Sequence, residues 1–203
     1  MRTLPTLIVF ILVIAAAFST ALFMGARLMH FHICSATMCY VCFIACVVIN
    51  IGIAAGKRWS PFAAISCCES GLLTALITII SGSIWAYEAW GTAWVWEPRL
   101  TGMFLMTLVF VSWRLAIAIL GPDAVSRPKL SASLIILGLP AMFFTHVATR
   151  LFGGIHPDQI PKSSSTLAPL PFVATALCIA ALCAGTVWIR TRQMARRMKP
   201  KAQ

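Results

Sequence analysis

Residues 33–56 read ICSATMCYVCFIACVVINIGIAAG, and no side chain in this stretch carries a formal charge. A helix needs roughly 20 apolar residues to cross the hydrocarbon layer of a bilayer, so the stretch is long enough. Its apolar residues do not alternate with polar ones, which argues against the strand of a membrane β-barrel. The stretch therefore predicts a membrane-spanning α-helix.

The rest of the chain has the same character. Of its 203 residues, 60% are hydrophobic and 10% are charged, and the mean hydropathy is +0.91. Lipid must therefore be the solvent for most of the chain. We predict an all-α integral membrane protein in which residues 1–203 form a single domain. Its six transmembrane helices are predicted at about 5–26, 33–56, 61–81, 100–120, 131–151 and 167–189.

The formal charge of +11 is distributed according to membrane side. With six spans, twelve basic residues fall on the side of both termini, and only Arg27, Arg99, Arg150 and Lys162 fall on the other. This asymmetry predicts that both termini lie in the cytoplasm, or in the matrix of a mitochondrion, and it argues against nucleic-acid binding. The basic tail 190–203 is interpreted mainly as a topology anchor, with binding of anionic lipid or of a partner as the alternative.

A tryptophan-rich segment, residues 82–99, joins the third span to the fourth on the outer side. Four tryptophans beside an acid and a base indicate a platform for a flat, apolar ligand. A helix through the later part of the segment would place Trp90, Trp94 and Glu97 on one face, which predicts a short interfacial helix. The candidate ligand-binding residues of the segment are Trp85, Trp90, Trp94, Trp96, Glu97 and Arg99.

All four histidines of the chain, His30, His32, His146 and His156, fall at or near the same outer face. A single interfacial histidine is usually a satisfied helix-end residue, but four on one face favour ligation. A structural zinc site would need four Cys or His ligands, whereas a haem iron needs only two histidines. We expect His32 and His146 to be the axial ligands of haem iron, with Arg99, and Arg27 or Arg150, facing the propionates.

Two other polar features have structural interpretations. The spacing of Cys39 and Cys42 matches a redox motif, but within lipid cysteine behaves as a small hydrophobe. Glu69 falls near the middle of the third span, where an ionised acid is costly. We expect a protonated carboxyl bonded to a neighbouring helix, with contact to a partner subunit as the alternative.

The stretch 90–101, WGTAWVWEPRLT, resembles the tryptophan-rich WWD signature of haem-handling proteins in cytochrome c maturation. Its ending RLT, the stretch 78–85 and the six-span length resemble the CcmC type, haem exporter protein C. In that family an outer histidine opens the second span, like His32, and another follows a Leu-Pro pair in the fifth, like His146. A further histidine matches His156. The chain departs from the family at Ala93, Glu97 and Pro98, which replace an aromatic residue, an aspartate and a small residue.

The resemblance implies a protein without turnover of its own that binds haem b transiently and presents it to a haem chaperone. The implied partners are a CcmE-like chaperone, CcmA- and CcmB-like subunits of an ABC transporter, and a small CcmD-like subunit. The implied location is the bacterial inner membrane or the mitochondrial inner membrane. Three other interpretations stay open: a haem-transporting channel subunit, a bis-His electron carrier similar to cytochrome b, and a structural membrane subunit with an aromatic belt.

Overall fold

A computed structural model of the protein describes residues 28–120, 128–155 and 169–197. Five of its helical segments are long and apolar enough to cross a membrane. This confirms the predicted all-α membrane class; the predicted span 5–26 lies outside the described residues. The helices are α1 (Leu28–Ala54), α2 (Pro61–Trp90), α3 (Pro98–Leu120), α4 (Pro128–Ile136), α5 (Gly138–Phe152) and α6 (Pro169–Arg197).

Three helices are clearly longer than predicted. The thickness of the hydrocarbon layer sets only the minimum length of a span, and a helix can continue beyond that layer into the interface. α1 begins at Leu28, so His32 lies in its second turn and does not open the helix. α2 continues to Trp90, well past residue 81, and carries the first two tryptophans of the tryptophan-rich segment. α6 continues to Arg197, so most of the predicted basic tail is helical.

The fifth span is interrupted at Leu137, between α4 and α5. Pro140 has no N–H group, so the carbonyl of Ile136, four residues earlier, loses its helical partner. Gly138 allows the broken helix to approach α3 closely, because a Cβ there would lie 2.9 Å from Phe110 Cε2. The interruption therefore occurs where proline weakens the helix and glycine permits close packing.

The middle of the bundle is held by aromatic stacking. Phe43 of α1 and Phe110 of α3 are both fully buried, and their rings stack with centroids 3.6 Å apart and planes inclined by 7°. Gly71 of α2 lies against the Phe43 ring, where a Cβ would collide with the ring edge. Small residues thus let α1 and α2 approach each other, as is typical of helix pairs in membranes.

Most of the cysteines are buried, in two clusters. Cys39, Cys46 and Cys68 are fully buried free thiols in this core, and Cys42 is buried in a second cluster with Cys34 and Cys183. Among the residues that the structure describes, no group of three His, Cys, Asp or Glu side chains could hold a metal ion. Cys39 and Cys42 pack as small apolar residues, as the sequence predicts.

The bundle has two chemically different ends. We call the end that carries the tryptophan-rich segment the tryptophan end, and the end formed by Ala54, Pro61 and Leu120 the basic end. Of the ten described lysines and arginines, eight lie toward the basic end, and only Arg99 and Arg150 lie at the tryptophan end. The side of the membrane that each end faces stays a prediction.

Glu69 lies toward the basic end and forms an ion triad with two arginines. Arg114 of α3 donates from Nε (3.0 Å) and Nη2 (2.8 Å) to Glu69 Oε1. Arg190 of α6 donates from Nε to Oε2 (2.8 Å) and from Nη2 to Oε1 (3.0 Å). The predicted protonated carboxyl is therefore wrong, because a carboxylate between two guanidinium groups is ionised. The triad ties α3 and α6 to α2.

Candidate functional site

The tryptophan-rich segment is not the interfacial helix that we predicted. α2 ends at Trp90 and is capped by Gly91, whose backbone is left-handed (φ 72°) and whose N–H donates to the carbonyl of Tyr87 at 3.0 Å. Residues 92–97 are not helical, and α3 begins at Pro98. A left-handed glycine ends a helix, and the residue before a proline disfavours helical backbone, so no helix crosses this segment. Trp90, Trp94 and Glu97 therefore do not share a helical face.

The four tryptophans form two pairs. Trp85 and Trp90, near the end of α2, meet edge to face with centroids 5.0 Å apart. Trp94 and Trp96 meet in the same way at 5.6 Å. Phe104 of α3 contacts both members of the second pair, at 6.4 Å from Trp94 and 5.6 Å from Trp96. These rings supply apolar faces for a flat ligand.

Phe104 is an aromatic member of this cluster that the sequence analysis did not identify. It lies one turn beyond the tryptophan-rich segment, inside a long apolar stretch, and only helical spacing from Pro98 could have indicated it. Trp96 is 68% exposed. The cluster therefore has one buried side, against α3, and one open edge.

Glu97 acts as the N-cap of α3. Its side chain is only 6% exposed, and Oε1 accepts a hydrogen bond from the N–H of Leu100 at 3.0 Å. Its carbonyl accepts the N–H of Thr101. A side-chain oxygen at this position satisfies a backbone donor that the first turn of a helix leaves unpaired. The acid of the motif therefore fixes the junction between the tryptophans and α3.

Two buried polar atoms beside this junction have no hydrogen-bond partner within the part of the chain that the structure describes. They are Glu97 Oε2, an acceptor, and Trp94 Nε1, a donor. Buried polar atoms in native structures are almost always paired. These two atoms are therefore suited to bind a polar edge of a ligand or an ordered water.

His32 is held against α2 in a defined tautomer. Its Nδ1 lies 3.0 Å from the carbonyl oxygen of Thr78 and 3.4 Å from the hydroxyl of Ser81. A carbonyl oxygen can only accept, so Nδ1 carries the proton and the lone pair of the neutral ring is on Nε2. Metal-binding histidines are commonly oriented in this way by a hydrogen bond from the other nitrogen.

Gly82 makes room for this arrangement. A Cβ at residue 82 would lie 2.7 Å from His32 Cε1 and 3.0 Å from Nδ1, closer than real contacts allow. The ring of His32 can therefore reach the Thr78 carbonyl only because residue 82 has no side chain.

His146 lies on α5, at the same end of the bundle as His32. Its side chain is exposed, and its ring contacts Tyr40 of α1 edge to face, with centroids 5.5 Å apart. α5 packs closely on α3 here, because Gly102 leaves space for the backbone and hydroxyl of Thr145. Tyr40 was not identified from sequence, since it is one aromatic residue within a long apolar stretch.

The remaining candidates are distributed as follows. His146 contacts Tyr40 of α1, whereas His32 contacts Thr78 of α2. Tyr40 is eight residues beyond His32, so the two positions on α1 are about 12 Å apart along the helix axis. Arg99, in the first turn of α3, is near enough to Tyr40 to interact with it electrostatically. Arg150 is exposed at the end of α5. Arg27 and His156 lie outside the described residues.

Comparison with known proteins decides the family. Residues 5–203 match the family described as heme exporter protein C, CcmC. The chain belongs to the heme exporter protein C family. This membership confirms the family that the motif at residues 90–101 predicts. The matched residues include His32 and His146 as well as the four tryptophans.

Individual relatives match over shorter segments. Heme exporter protein C of Paracoccus denitrificans is 31% identical over 99 residues, which cover 48% of this chain and 40% of the relative. The corresponding protein of Rhodobacter capsulatus is 28% identical over 88 residues, covering 43% and 36%. Cytochrome c biogenesis protein CcsA of Synechococcus sp. (strain WH7803) is 36% identical over 90 residues, covering 42% and 26%. The matched segments thus span well under half of these relatives.

Proposed function

We propose that the chain binds haem at the tryptophan end and presents it to a haem chaperone during the biogenesis of c-type cytochromes. His32 and His146 are the proposed axial ligands of the iron. The observation that carries the proposal is the hydrogen bond from His32 Nδ1 to the Thr78 carbonyl, 3.0 Å long. It leaves the lone pair on Nε2, the state in which imidazole ligates iron.

The surroundings of the histidines suit the rest of a haem molecule. The apolar porphyrin ring would contact the indole face of Trp94 and the ring of Phe104, with Trp96 at the exposed edge of the site. The propionates would pair with Arg99, and the indole N–H of Trp94 is a buried donor suited to one of their oxygens. Trp85 and Trp90, at the end of α2, would border the site on the side of His32.

The role of presenter is supported by the open edge of the site. Trp96 and His146 are exposed, so a bound haem would stay accessible to a second protein. The names of the relatives, a heme exporter and a cytochrome c biogenesis protein, agree with this task. The proposed partners are a CcmE-like chaperone, CcmA- and CcmB-like transporter subunits and a CcmD-like subunit, in a bacterial or mitochondrial inner membrane.

Haem binding is tested with the purified full-length chain. We expect the wild type to bind haem with a bis-histidine absorption spectrum, and His32→Ala or His146→Ala to lose that spectrum. Added imidazole should restore it in each variant if the lost side chain was a ligand. A variant that keeps the wild-type spectrum without imidazole would contradict the assignment of that residue.

Presentation is tested by co-expression with a haem chaperone. Trp96→Ala should retain haem and reduce its transfer to the chaperone, because Trp96 forms the exposed edge. Trp188→Ala is the matched control, since Trp188 is 48% exposed on α6 toward the basic end. If both variants transfer haem as the wild type does, Trp96 has no part in presentation. If the wild type binds haem but never transfers it, the proposed role of presenter is contradicted.

A further inference from the structure

The three side chains of the ion triad near the basic end carry a net positive charge. Glu69 contributes one negative charge, and Arg114 and Arg190 contribute two positive charges, which leaves a formal charge of +1. One arginine would have neutralised the acid. A surplus charge in a low-dielectric region is costly unless an anion accompanies it. Within residues 28–120, 128–155 and 169–197, Glu69 is the one acid paired with these arginines, so no second described acid balances the triad.

The triad faces the outside of the bundle. Glu69 belongs to a stripe of α2, spaced by three and four residues, that continues through Leu73, Leu76 and Ile80, and these three side chains are 40–55% exposed. The arginines reach Glu69 from two other helices, α3 and α6, and their side chains are 28% (Arg114) and 39% (Arg190) exposed. A ligand would thus approach from the lipid, not from the bundle interior.

The depth of the triad matches that of lipid headgroups. Glu69 is sixteen residues from Trp85 along α2, about 24 Å at the helical rise. The hydrocarbon layer is about 30 Å thick and tryptophans mark one of its surfaces. Glu69 therefore lies close to the opposite surface, and long arginine side chains extend from such positions to the phosphates.

We propose that Arg114 and Arg190 bind the phosphodiester headgroup of an anionic phospholipid. A guanidinium has five N–H groups, and each arginine uses two of them for Glu69. The remaining N–H groups of the two arginines form paired donors of the geometry that phosphate oxygens accept. A lipid with a net negative charge neutralises the surplus, whereas a zwitterionic lipid does not.

The test measures lipid retention by native mass spectrometry of the full chain, with phosphatidylglycerol and phosphatidylcholine as probes. The wild type should prefer phosphatidylglycerol, and Arg114→Gln or Arg190→Gln should reduce that preference about fivefold. Each variant keeps a neutral pair with Glu69, which favours folding. Arg192→Gln is the matched control, because it removes the same charge from α6 but its guanidinium lies over the Trp188 ring, 4.2 Å from the centroid.

Three results would overturn the proposal. The first is equal retention of the two lipids by the wild type, a measurement that depends on no variant. The second is an equal loss of preference in Arg192→Gln, which would indicate a diffuse basic surface. The third is full displacement of phosphatidylglycerol by millimolar inorganic phosphate, which would indicate a site for soluble anions.

Discussion

Replacement of Gly82 by alanine tests whether the position of His32 matters for haem, through separate measurements of haem affinity and of thermal stability. The new Cβ would lie 2.7 Å from His32 Cε1 and 3.0 Å from Nδ1, so the imidazole must move. The contact is with the ring of a side chain that can rotate, and α1 and α2 need not separate. The ring then loses its 3.0 Å hydrogen bond to the Thr78 carbonyl.

The expected magnitudes differ for the two properties. Alanine in the middle of a helix is more favourable than glycine by about 0.5–1 kcal/mol, and crowding at a packed contact costs about 1–3 kcal/mol. These terms leave a net cost of about 0–2.5 kcal/mol, so the melting temperature should fall by at most about 10 °C. Loss of the hydrogen bond that orients a metal ligand typically weakens metal binding about 10- to 100-fold. Haem affinity should fall by that factor.

The assay is a haem titration by absorption, beside thermal unfolding of the same preparation. Gly52→Ala is the matched control, because the three atoms nearest its Cβ would all belong to the ring of Trp59, which is 46% exposed and lies near the basic end. That variant should bind haem as the wild type does. Wild-type affinity and spectrum in Gly82→Ala would refute the reasoning, since the position of His32 would then be irrelevant to the iron.

Three further outcomes follow from the polar contacts. Glu97→Ala should remove the cap of α3, which lowers the free energy of unfolding by about 1 kcal/mol, and should weaken haem binding. Glu97→Asp and the uncharged Glu97→Ser should keep both the stability, measured by thermal unfolding, and the haem affinity, measured by titration. Failure of the serine variant alone would indicate that the charge of Glu97 matters. Glu69→Leu leaves two partly exposed arginines without their acid and should cost about 1–3 kcal/mol in thermal unfolding, whereas Glu88→Gln, at an exposed residue, should cost nothing measurable. Ser131→Ala removes hydrogen bonds to Asn50 (2.7 Å) and Trp113 (3.1 Å) and should cost about 1–3 kcal/mol; an unchanged melting temperature would show that water replaces the hydroxyl.

The fold was predictable because lipid imposes one simple rule. Every backbone polar group in hydrocarbon must be satisfied within its segment, so long uncharged stretches are helices. That rule identifies α1 and α3 and the location of the tryptophans between two spans. It does not fix helix ends, because a helix can continue into the interface, as α2 does to Trp90 and α6 to Arg197.

The candidate site was predictable in its residue types but not in its supports. Histidine and tryptophan are scarce and chemically distinctive, so their accumulation on one face is visible in the sequence. The supports of the site are a backbone carbonyl at Thr78, an absent side chain at Gly82 and a single phenylalanine, Phe104. A carbonyl, a glycine or a phenylalanine is common in any membrane helix. Its role in the site becomes visible only when the structure shows which histidine or tryptophan it contacts.

Glu97 and Glu69 show what the sequence leaves open about a charged side chain, and the ligand contact of Glu97 stays a prediction. Both are acids in or beside apolar stretches, and sequence alone suggested a ligand contact for the first and a protonated group for the second. The structure shows the first as a helix cap and the second as the centre of an ion triad. Cap geometry and partners more than forty residues away are properties of packing, which local sequence does not contain.

The central claim, that His32 and His146 ligate haem iron at the tryptophan end, is tested most directly by electron paramagnetic resonance of the ferric haem complex. The account predicts a low-spin bis-histidine signal in the wild type. His32→Ala and His146→Ala should each convert it to a high-spin signal, which imidazole reverses. An unchanged low-spin signal in both variants would contradict the claim.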